Sequence, residues 1–186
     1  ERRGEAKYER DSVLFDKVEY SFPVLAALLW IANLNSGKLS IIDFGGSLGS
    51  SYFQNKKFLD SLEKLSWNIV EQTQFVECGK KYFQNEQLKF FETIDECLKS
   101  QMPDAILLSS VLQYMDEPYN LLDDITNLQF KYIIIDRTAI LLTGKDRITV
   151  QTVHPEIYNA SYPSWFFNEE KFLQRFSPNY ELITDF

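Results

Sequence analysis

The sequence predicts an α/β protein built on a doubly wound, mostly parallel, Rossmann-like sheet with helices on both faces. Three observations support this fold class. Short apolar runs alternate with amphipathic stretches, the near-continuous apolar run Ile133-Ile134-Ile135 is typical of a strand buried on both sides, and one run leads into a glycine-rich turn. Sheets of this kind bind ligands at a switch point, here expected at the carboxyl ends of the first and fourth strands.

The elements follow from the pattern of apolar residues. A first helix is predicted over about 20–35, where Asn35-Ser36-Gly37 is its stop signal. Strands are then predicted at 39–44, 67–70, 88–91, 105–109, 132–136 and 180–186, and helices at 52–65, 75–83, 94–99, 119–127 and 168–176. Residues 140–165 fit neither period. We expect an irregular insertion at about 138–165 over the functional face, because long loops in compact domains usually carry function.

Length and charge limit the function. With 186 residues, of which 45% are hydrophobic, the chain is expected to form a single domain, 1–186. Its net charge of −8 disfavours nucleic acid and anionic lipid as partners and leaves a small molecule. The apolar run 22–34 is too short to cross a bilayer. Cys78 and Cys97 match no zinc or disulfide spacing, so we expect no metal site and a reducing, cytoplasmic setting.

The strand that ends at Phe44 leads into the turn Gly45-Gly46-Ser47-Leu48-Gly49. Glycines there let backbone amides approach a nucleotide-like group where a side chain would not fit. A nucleotide-triphosphate loop is excluded because no lysine follows Gly49. The dinucleotide fingerprint is disfavoured, since its second and third glycines would fall on Ser47 and Ser50.

The spacing Asp43, Gly45, Gly49 resembles the first motif of class I S-adenosylmethionine-dependent methyltransferases. An ordinary strand-to-helix turn is the alternative. Ser47 stands where that family usually has its middle glycine, and we expect Gly46 to supply the backbone freedom instead. The resemblance implies S-adenosylmethionine as cofactor.

Acidic and hydroxyl residues follow the next strands. Glu71 ends the second strand, where its carboxylate can accept hydrogen bonds from both ribose hydroxyls; the alternative is a cap on the following helix. The resemblance implies that Glu92 and Thr93 lie beside the adenine, although Thr93 is equally suited to cap a helix. Ser109 and Ser110 open a stretch that resembles the segment lining the cofactor and substrate crevice in these enzymes.

A narrower resemblance covers about 11–186. The stretches 43–49, 109–114, 135–138 and 151–165 are similar to a methyltransferase family associated with bacterial surface-polysaccharide biosynthesis. This resemblance implies a small acceptor, with a sugar or a lipid-linked sugar as candidates. Class I enzymes normally end with a sixth and an antiparallel seventh strand, whereas this sequence stops within the predicted sixth. Either the sequence is truncated or the last strand is absent, and loss of this strand would expose a sheet edge.

Methyl transfer needs alignment and, for an oxygen or nitrogen nucleophile, a place for its proton. His154, the only histidine, is a candidate general base, since imidazole titrates near neutral pH; a surface or core role is the alternative. Arg137 could pair with an anionic substrate group or with Asp136. Tyr114 could line an acceptor wall or pack the insertion, as could a group of other aromatic residues, Tyr158, Tyr162 and Trp165.

The sequence therefore predicts an S-adenosylmethionine-dependent methyltransferase acting on a small, sugar-linked acceptor. The alternative is a non-catalytic partner subunit that keeps the fold and can retain the cofactor, suggested by Ser47 and by the few acid-base residues. A nicotinamide or nucleotide-sugar enzyme is disfavoured by the glycine spacing.

Overall fold

The computed structural model of the chain describes residues 8–10, 13–100, 102–155 and 159–186. Its strands are β1 (Tyr8–Arg10), β2 (Val13–Phe15), β3 (Lys38–Phe44), β4 (Lys64–Val70), β5 (Leu88–Phe91), β6 (Ala105–Ser109), β7 (Tyr132–Asp136), β8 (Ile140–Leu141), β9 (Arg147–Thr152) and β10 (Ser161–Asn168). Its helices are α1 (Phe22–Leu34), α2 (Ser50–Leu59), α3 (Thr73–Tyr82), α4 (Ile94–Leu98), α5 (Pro118–Asn127) and α6 (Glu169–Leu173), with a 3₁₀ turn at Leu112–Tyr114.

The main sheet has five strands in the order β5-β4-β3-β6-β7. Strand β3 pairs in parallel with β4 and β6, and β4 pairs in parallel with β5. The chain order thus reverses between β3 and β6, as in doubly wound sheets. This confirms the predicted fold class and the predicted switch point between the first and fourth strands of the sheet.

The chain divides into two compact units. The first comprises Glu1–Leu108 and Tyr132–Ile134, and the second comprises Ser109–Lys131 and Ile135–Phe186.

The core of the first unit lies where α1, α2 and α3 pack on the sheet. Leu39 and Ile41 of β3 face this core, together with buried residues of α1, of which Leu28 is fully buried. Ile42 and Ile106 point to the opposite face of their strands and are equally buried, so the sheet is covered on both sides. This burial explains why the apolar runs were recognisable in the sequence.

The second unit contains a small sheet of the order β8-β10-β9, with β9 antiparallel to β10. Phe167 of β10 is fully buried and contacts three aromatic rings, stacking on Trp165 at 6.0 Å and meeting Tyr119 and Phe172 at 5.8 and 5.3 Å. The hydroxyl of Tyr180 donates to the carbonyl of Phe130 across 2.9 Å.

Three sequence predictions about elements differ from the structure. Residues 180–186 were predicted as the sixth strand, but no described strand pairs with them, and Glu181–Phe186 are exposed. Residues 140–165 were expected to be irregular, but they contain β8, β9 and the first part of β10. The helix predicted over 52–65 ends at Leu59, since β4 already begins at Lys64. The other predicted elements form with bounds shifted by at most three residues.

Within the described ranges, none of the helices has both the length and the apolarity needed to cross a bilayer.

Candidate functional site

Three residues of the turn after β3 have a left-handed backbone conformation. Gly45, Ser47 and Gly49 have positive φ angles of 70°, 52° and 100°, in the left-handed region that favours glycine. Ser47 thus adopts a conformation that the family's middle glycine would adopt without strain. The expectation that Gly46 supplies this freedom is wrong, because its φ is not positive.

Gly46 is required for space. A Cβ at this position would lie 2.6 Å from Cγ of Asp43 and 2.7 Å from its Oδ2, distances that no side chain can tolerate without displacing the carboxylate. Gly45 donates its amide to the carbonyl of Val70 across 2.9 Å, and Gly49 donates to Gly46 across 3.0 Å. These bonds fix the turn at both ends.

Three backbone amides lie between those two bonds. Among the described residues, the amide nitrogens of Gly46, Ser47 and Leu48 donate no hydrogen bond. Backbone amides need a partner, which must here be solvent or a ligand. Gly49 then begins α2 as its N-cap without any side-chain cap, so the turn leads directly into a helix N-terminus. The arrangement can hold the polar edge of a bound molecule.

Asp43, the acid of the motif, is 1% exposed. Its Oδ2 accepts a hydrogen bond from the indole nitrogen of Trp67 on the neighbouring strand, across 3.0 Å. A buried carboxylate needs such donors to remain charged. The Asp43 carboxylate therefore packs directly against Gly46 of the turn and is held in place by Trp67. Sequence reasoning missed Trp67, although an acid inside an apolar strand signals that a buried donor must face it.

Glu71 follows β4 directly, and its amide donates to the carbonyl of Phe91 across 3.1 Å. The side chain is half-buried, and its Oε2 accepts from the amide of Gln72 at 2.5 Å. Glu71 thus lies at the carboxyl end of β4, as predicted from its position in the sequence. Its role toward a ribose stays a prediction.

Glu92 and Thr93 follow β5 and form local contacts. The Thr93 hydroxyl accepts from the amide of Glu96 across 3.1 Å and caps α4. Glu96 accepts in return from the amide of Glu92 across 2.9 Å, and the Glu92 carboxylate accepts from the Thr73 hydroxyl across 3.0 Å. The capping alternative for Thr93 is therefore realised, while an adenine contact by either residue stays a prediction.

In the second unit, the ends of β6 and β7 bring Ser109, Asp136 and Arg137 together. The Ser109 hydroxyl donates to Oδ2 of Asp136 across 2.6 Å and accepts from Nη2 of Arg137 across 2.9 Å. Nε of Arg137 lies 3.3 Å from the same Oδ2. The predicted ion pair with Asp136 is thus present. Ser110 donates its amide to the Asp136 carbonyl across 2.9 Å, and its assignment to the cofactor stays a prediction.

Gln113 is a further residue of this cluster that sequence reasoning did not single out. Its side chain is 6% exposed, and its Nε2 donates to the carbonyl of Arg137 across 3.0 Å and to the Ser110 hydroxyl across 3.3 Å. Both recipients have positive φ angles, 59° at Ser110 and 52° at Arg137. Gln113 therefore contacts both of these residues, through the backbone carbonyl of Arg137 and the side-chain hydroxyl of Ser110. Arg137 lies 24 positions further along the chain, so no local pattern identifies that bond.

The aromatic wall forms in part. The Tyr114 ring meets that of Tyr162 edge-on at 5.3 Å, and its hydroxyl donates to Oε1 of Gln151 across 3.2 Å. The Trp165 indole donates to the carbonyl of Met115 across 3.1 Å. These contacts fit the packing alternative. Tyr158 lies outside the described residues.

His154 follows β9 and is exposed. The described contacts do not join it to Arg137, the residue predicted to pair with an anionic substrate group or with Asp136. Its role as a base stays a prediction.

No protein-family model matches the sequence, and no curated protein is similar to it in sequence. Solved structures do match. The N-terminal domain of EvdMO1, crystallised in the presence of SAH and D-fucose, aligns with a TM-score of 0.54 at 14% identity, over 92% of this chain and 78% of that one. The same domain with SAH bound gives 0.53 at 12% identity, over 92% and 79%. Human N-acetylserotonin methyltransferase with SAM gives 0.47 at 13% identity, over 83% and 45%.

At these identities the likeness to EvdMO1 establishes the fold alone. Together with the strand order of the main sheet, it shows that the chain has a Rossmann-like fold of the class I methyltransferase type.

Proposed function

We propose that this chain is an S-adenosylmethionine-dependent methyltransferase that acts on a small, sugar-linked acceptor. The observation that carries the proposal is the turn after β3, with three amides that have no acceptor in the described chain and no room for a side chain at Gly46. A glycine turn of this kind at the end of a central strand suits a nucleoside-bearing ligand.

The spacing of the turn favours S-adenosylmethionine over a dinucleotide, since the second and third glycines of the dinucleotide fingerprint are serines, Ser47 and Ser50. Glu71 at the end of the neighbouring strand supplies the acid expected for the ribose. The cofactor, when bound, would supply an electrophilic methyl group. EvdMO1, whose N-terminal domain shares the fold, was crystallised with SAH and in the presence of D-fucose, which supports a small sugar-like acceptor.

Within this proposal the residues have different tasks. The cofactor would be bound by the glycine turn after β3 and by three further residues, Glu71, Glu92 and Thr93. Ser109 and Ser110 would also contact the cofactor. The acceptor would be oriented by Arg137 and Tyr114, and His154 would accept its proton. The proposal includes a role in surface-polysaccharide biosynthesis. It also includes a cytoplasmic setting, which is consistent with the free thiols of Cys78 and Cys97.

Calorimetric titration with S-adenosylhomocysteine and with NAD tests the proposal. We expect S-adenosylhomocysteine to bind and to raise the thermal midpoint by mass action, while NAD does little. Preference for NAD would overturn the methyltransferase assignment. The non-catalytic alternative, suggested by Ser47 and by the few acid-base residues, is tested with the same protein. It predicts that the product analogue binds and that no acceptor is ever methylated in a radiolabel transfer assay.

A further inference from the structure

Arg137 and Ser110 occupy strained backbone positions at the carboxyl ends of two strands of the main sheet. Ser110 follows β6 with a φ of 59°, and Arg137 follows β7 with a φ of 52°. Residues other than glycine seldom adopt this conformation, because it is sterically unfavourable for them. The buried side-chain amide of Gln113 donates hydrogen bonds to the backbone carbonyl of Arg137 and to the hydroxyl of Ser110. Strain that the surroundings maintain in this way is concentrated at functional sites.

The guanidinium of Arg137 is anchored on one edge only. Its Nε lies 3.3 Å from Asp136 Oδ2, and its Nη2 donates to Ser109 Oγ across 2.9 Å. A guanidinium carries five N–H groups in a planar fork. Among the described residues, no acceptor contacts Nη1, so the edge formed by Nη1 and the second hydrogen of Nη2 remains open. The side chain is 37% exposed, which leaves this edge accessible.

Asp136 is 5% exposed, and its Oδ2 accepts from the Ser109 hydroxyl and pairs with Nε of Arg137. The other polar side chains of the cluster, those of Ser109, Ser110 and Gln113, are of uncharged types. Oε1 of Gln113 and Oγ1 of Thr138, which flank Arg137, are buried and have no hydrogen-bond partner in the described structure. Buried polar atoms without partners are uncommon and call for an explanation such as an absent ligand.

From these contacts we infer that Arg137 binds an oxyanion of the acceptor, so that the methylated molecule carries a carboxylate or a phosphate beside its hydroxyl groups. The inference rests on the proposed function and specifies its substrate class. The open Nη1–Nη2 edge matches the two oxygens of either anion, and such bidentate pairs are among the strong hydrogen bonds of proteins. Ser109 and Asp136 act as positioning residues that fix the plane of the fork.

The test uses matched acid and neutral probes on protein saturated with S-adenosylhomocysteine. D-Glucuronate and D-glucose form the carboxylate pair, and glycerol 3-phosphate and glycerol form the phosphate pair. Calorimetry should show that at least one acid binds about tenfold or more tightly than its neutral counterpart, as expected for hydrogen bonds to charged groups. The pair that shows the preference identifies the anion.

In Arg137→Gln the preference should disappear, because the fork is lost while the strained φ stays equally unfavourable. Arg137→Lys keeps the charge without the fork and should retain only part of the preference. Arg175→Gln is the matched control: Arg175 is 36% exposed and is paired with Asp123 at 3.1 Å, and its removal should leave the preference unchanged. Ser109→Ala should weaken the preference, and Ser109→Thr, which keeps the hydroxyl, should restore it.

If neither acid is preferred in the wild type, or if Arg137→Gln keeps the full preference, the inference is wrong. Binding of S-adenosylhomocysteine is measured in parallel on every variant. If the wild type binds S-adenosylhomocysteine but prefers neither acid, only the oxyanion role is refuted, whereas absence of cofactor binding in the wild type refutes the proposed function itself.

Discussion

The indole nitrogen of Trp67 donates a hydrogen bond across 3.0 Å to the buried carboxylate of Asp43. Trp67 is the largest fully buried side chain of the chain's described core, and its ring meets that of Tyr52 on α2 at 5.8 Å. The acid at the start of the glycine turn is therefore attached to the core of the first unit. Asp43 in turn occupies the space in which a side chain at residue 46 would lie.

Gly46→Ala tests this packing. The new Cβ would lie 2.6 Å from Asp43 Cγ, so either the carboxylate or the turn must move. Overpacking of this kind typically costs about 1–3 kcal/mol of stability, and we expect S-adenosylhomocysteine affinity to fall with it. Denaturant unfolding and calorimetry measure the two effects. Gly144→Ala is the control: that glycine has a φ of 89° and no atom within 4 Å of the added Cβ, so it introduces strain without a clash and should spare ligand binding.

Glu71→Gln tests the ribose contact. The amide keeps the shape of the side chain but accepts hydrogen bonds less strongly than a carboxylate, so cofactor affinity should fall by about 1–3 kcal/mol. Calorimetric titration with S-adenosylhomocysteine measures the change. Glu77→Gln, on the exposed side of α3, should bind as the wild type does. If the two variants bind S-adenosylhomocysteine with equal affinity, Glu71 has no role in cofactor binding, and its carboxylate serves only to accept from the Gln72 amide.

The sheet could be predicted because its strands are buried on both faces. The bounds of β6 and β7 agree with the prediction, since residues 105–108 and 133–135 form unbroken apolar runs. The bounds of β5 agree as well, although its run is interrupted by the exposed Lys89. Strand β9 lacked this signal: Ile148 and Val150 are 54% and 73% exposed, and β9 is specified mainly by its pairing with β10. Burial reveals a strand in sequence, whereas backbone pairing alone does not.

The candidate site could be predicted only where its residues are neighbours in sequence and their types indicate the local backbone conformation. The glycine turn was recognisable because two of its positions with positive φ angles, 45 and 49, are glycines within one five-residue stretch. The positive φ of Ser47 and the contacts of Gln113 were not recognisable. A serine in the sequence does not indicate a left-handed backbone, because serine seldom adopts one. The bond from Gln113 to Arg137 joins residues 24 positions apart. Such contacts depend on tertiary packing.

His154→Ala tests the proposed general base. Loss of a proton acceptor should lower turnover by about 10²–10⁴, with binding of S-adenosylhomocysteine nearly unchanged because His154 is exposed after β9. The assay is transfer of a labelled methyl group to the acid that the probe titrations select. Full turnover in His154→Ala would show that His154 is not the general base. The proton would then have to leave by another route, such as solvent.

The two cysteines should differ in reactivity. Burial, and next to it the charge of Glu96, raise the pKa of the Cys97 thiol to about 11, whereas Cys78 is half-buried. Because the thiolate is the reactive form, alkylation of Cys97 by iodoacetamide at pH 8 should be roughly a hundredfold slower than for an ordinary thiol. Peptide mapping by mass spectrometry should find Cys78 modified first in the native protein. Comparable rates are expected only after unfolding in guanidinium, and comparable native rates would contradict the burial of Cys97.

Asp146 should make the stability of the second unit sensitive to acid. Its side chain is 10% exposed and accepts hydrogen bonds from Tyr119 Oη at 3.0 Å, Asn168 N at 2.6 Å and Lys171 Nζ at 2.5 Å. Burial by itself raises the pKa of this carboxyl, but the donors, led by Lys171, outweigh it, so the pKa lies below its ordinary value. The ionised form is therefore favoured by folding.

A carboxyl whose pKa is lowered on folding contributes its full stabilisation above its unfolded pKa, which is about 3.9 for aspartate. That contribution is lost as the pH falls through the folded value. We expect Asp146→Asn to cost about 1–3 kcal/mol near pH 7 and to flatten the loss of stability below about pH 4. Asp185→Asn, at an exposed position, should keep the wild-type profile. Urea unfolding from pH 2 to 7 measures both, and parallel profiles for wild type and Asp146→Asn would show that the cluster does not depend on the ionised carboxylate.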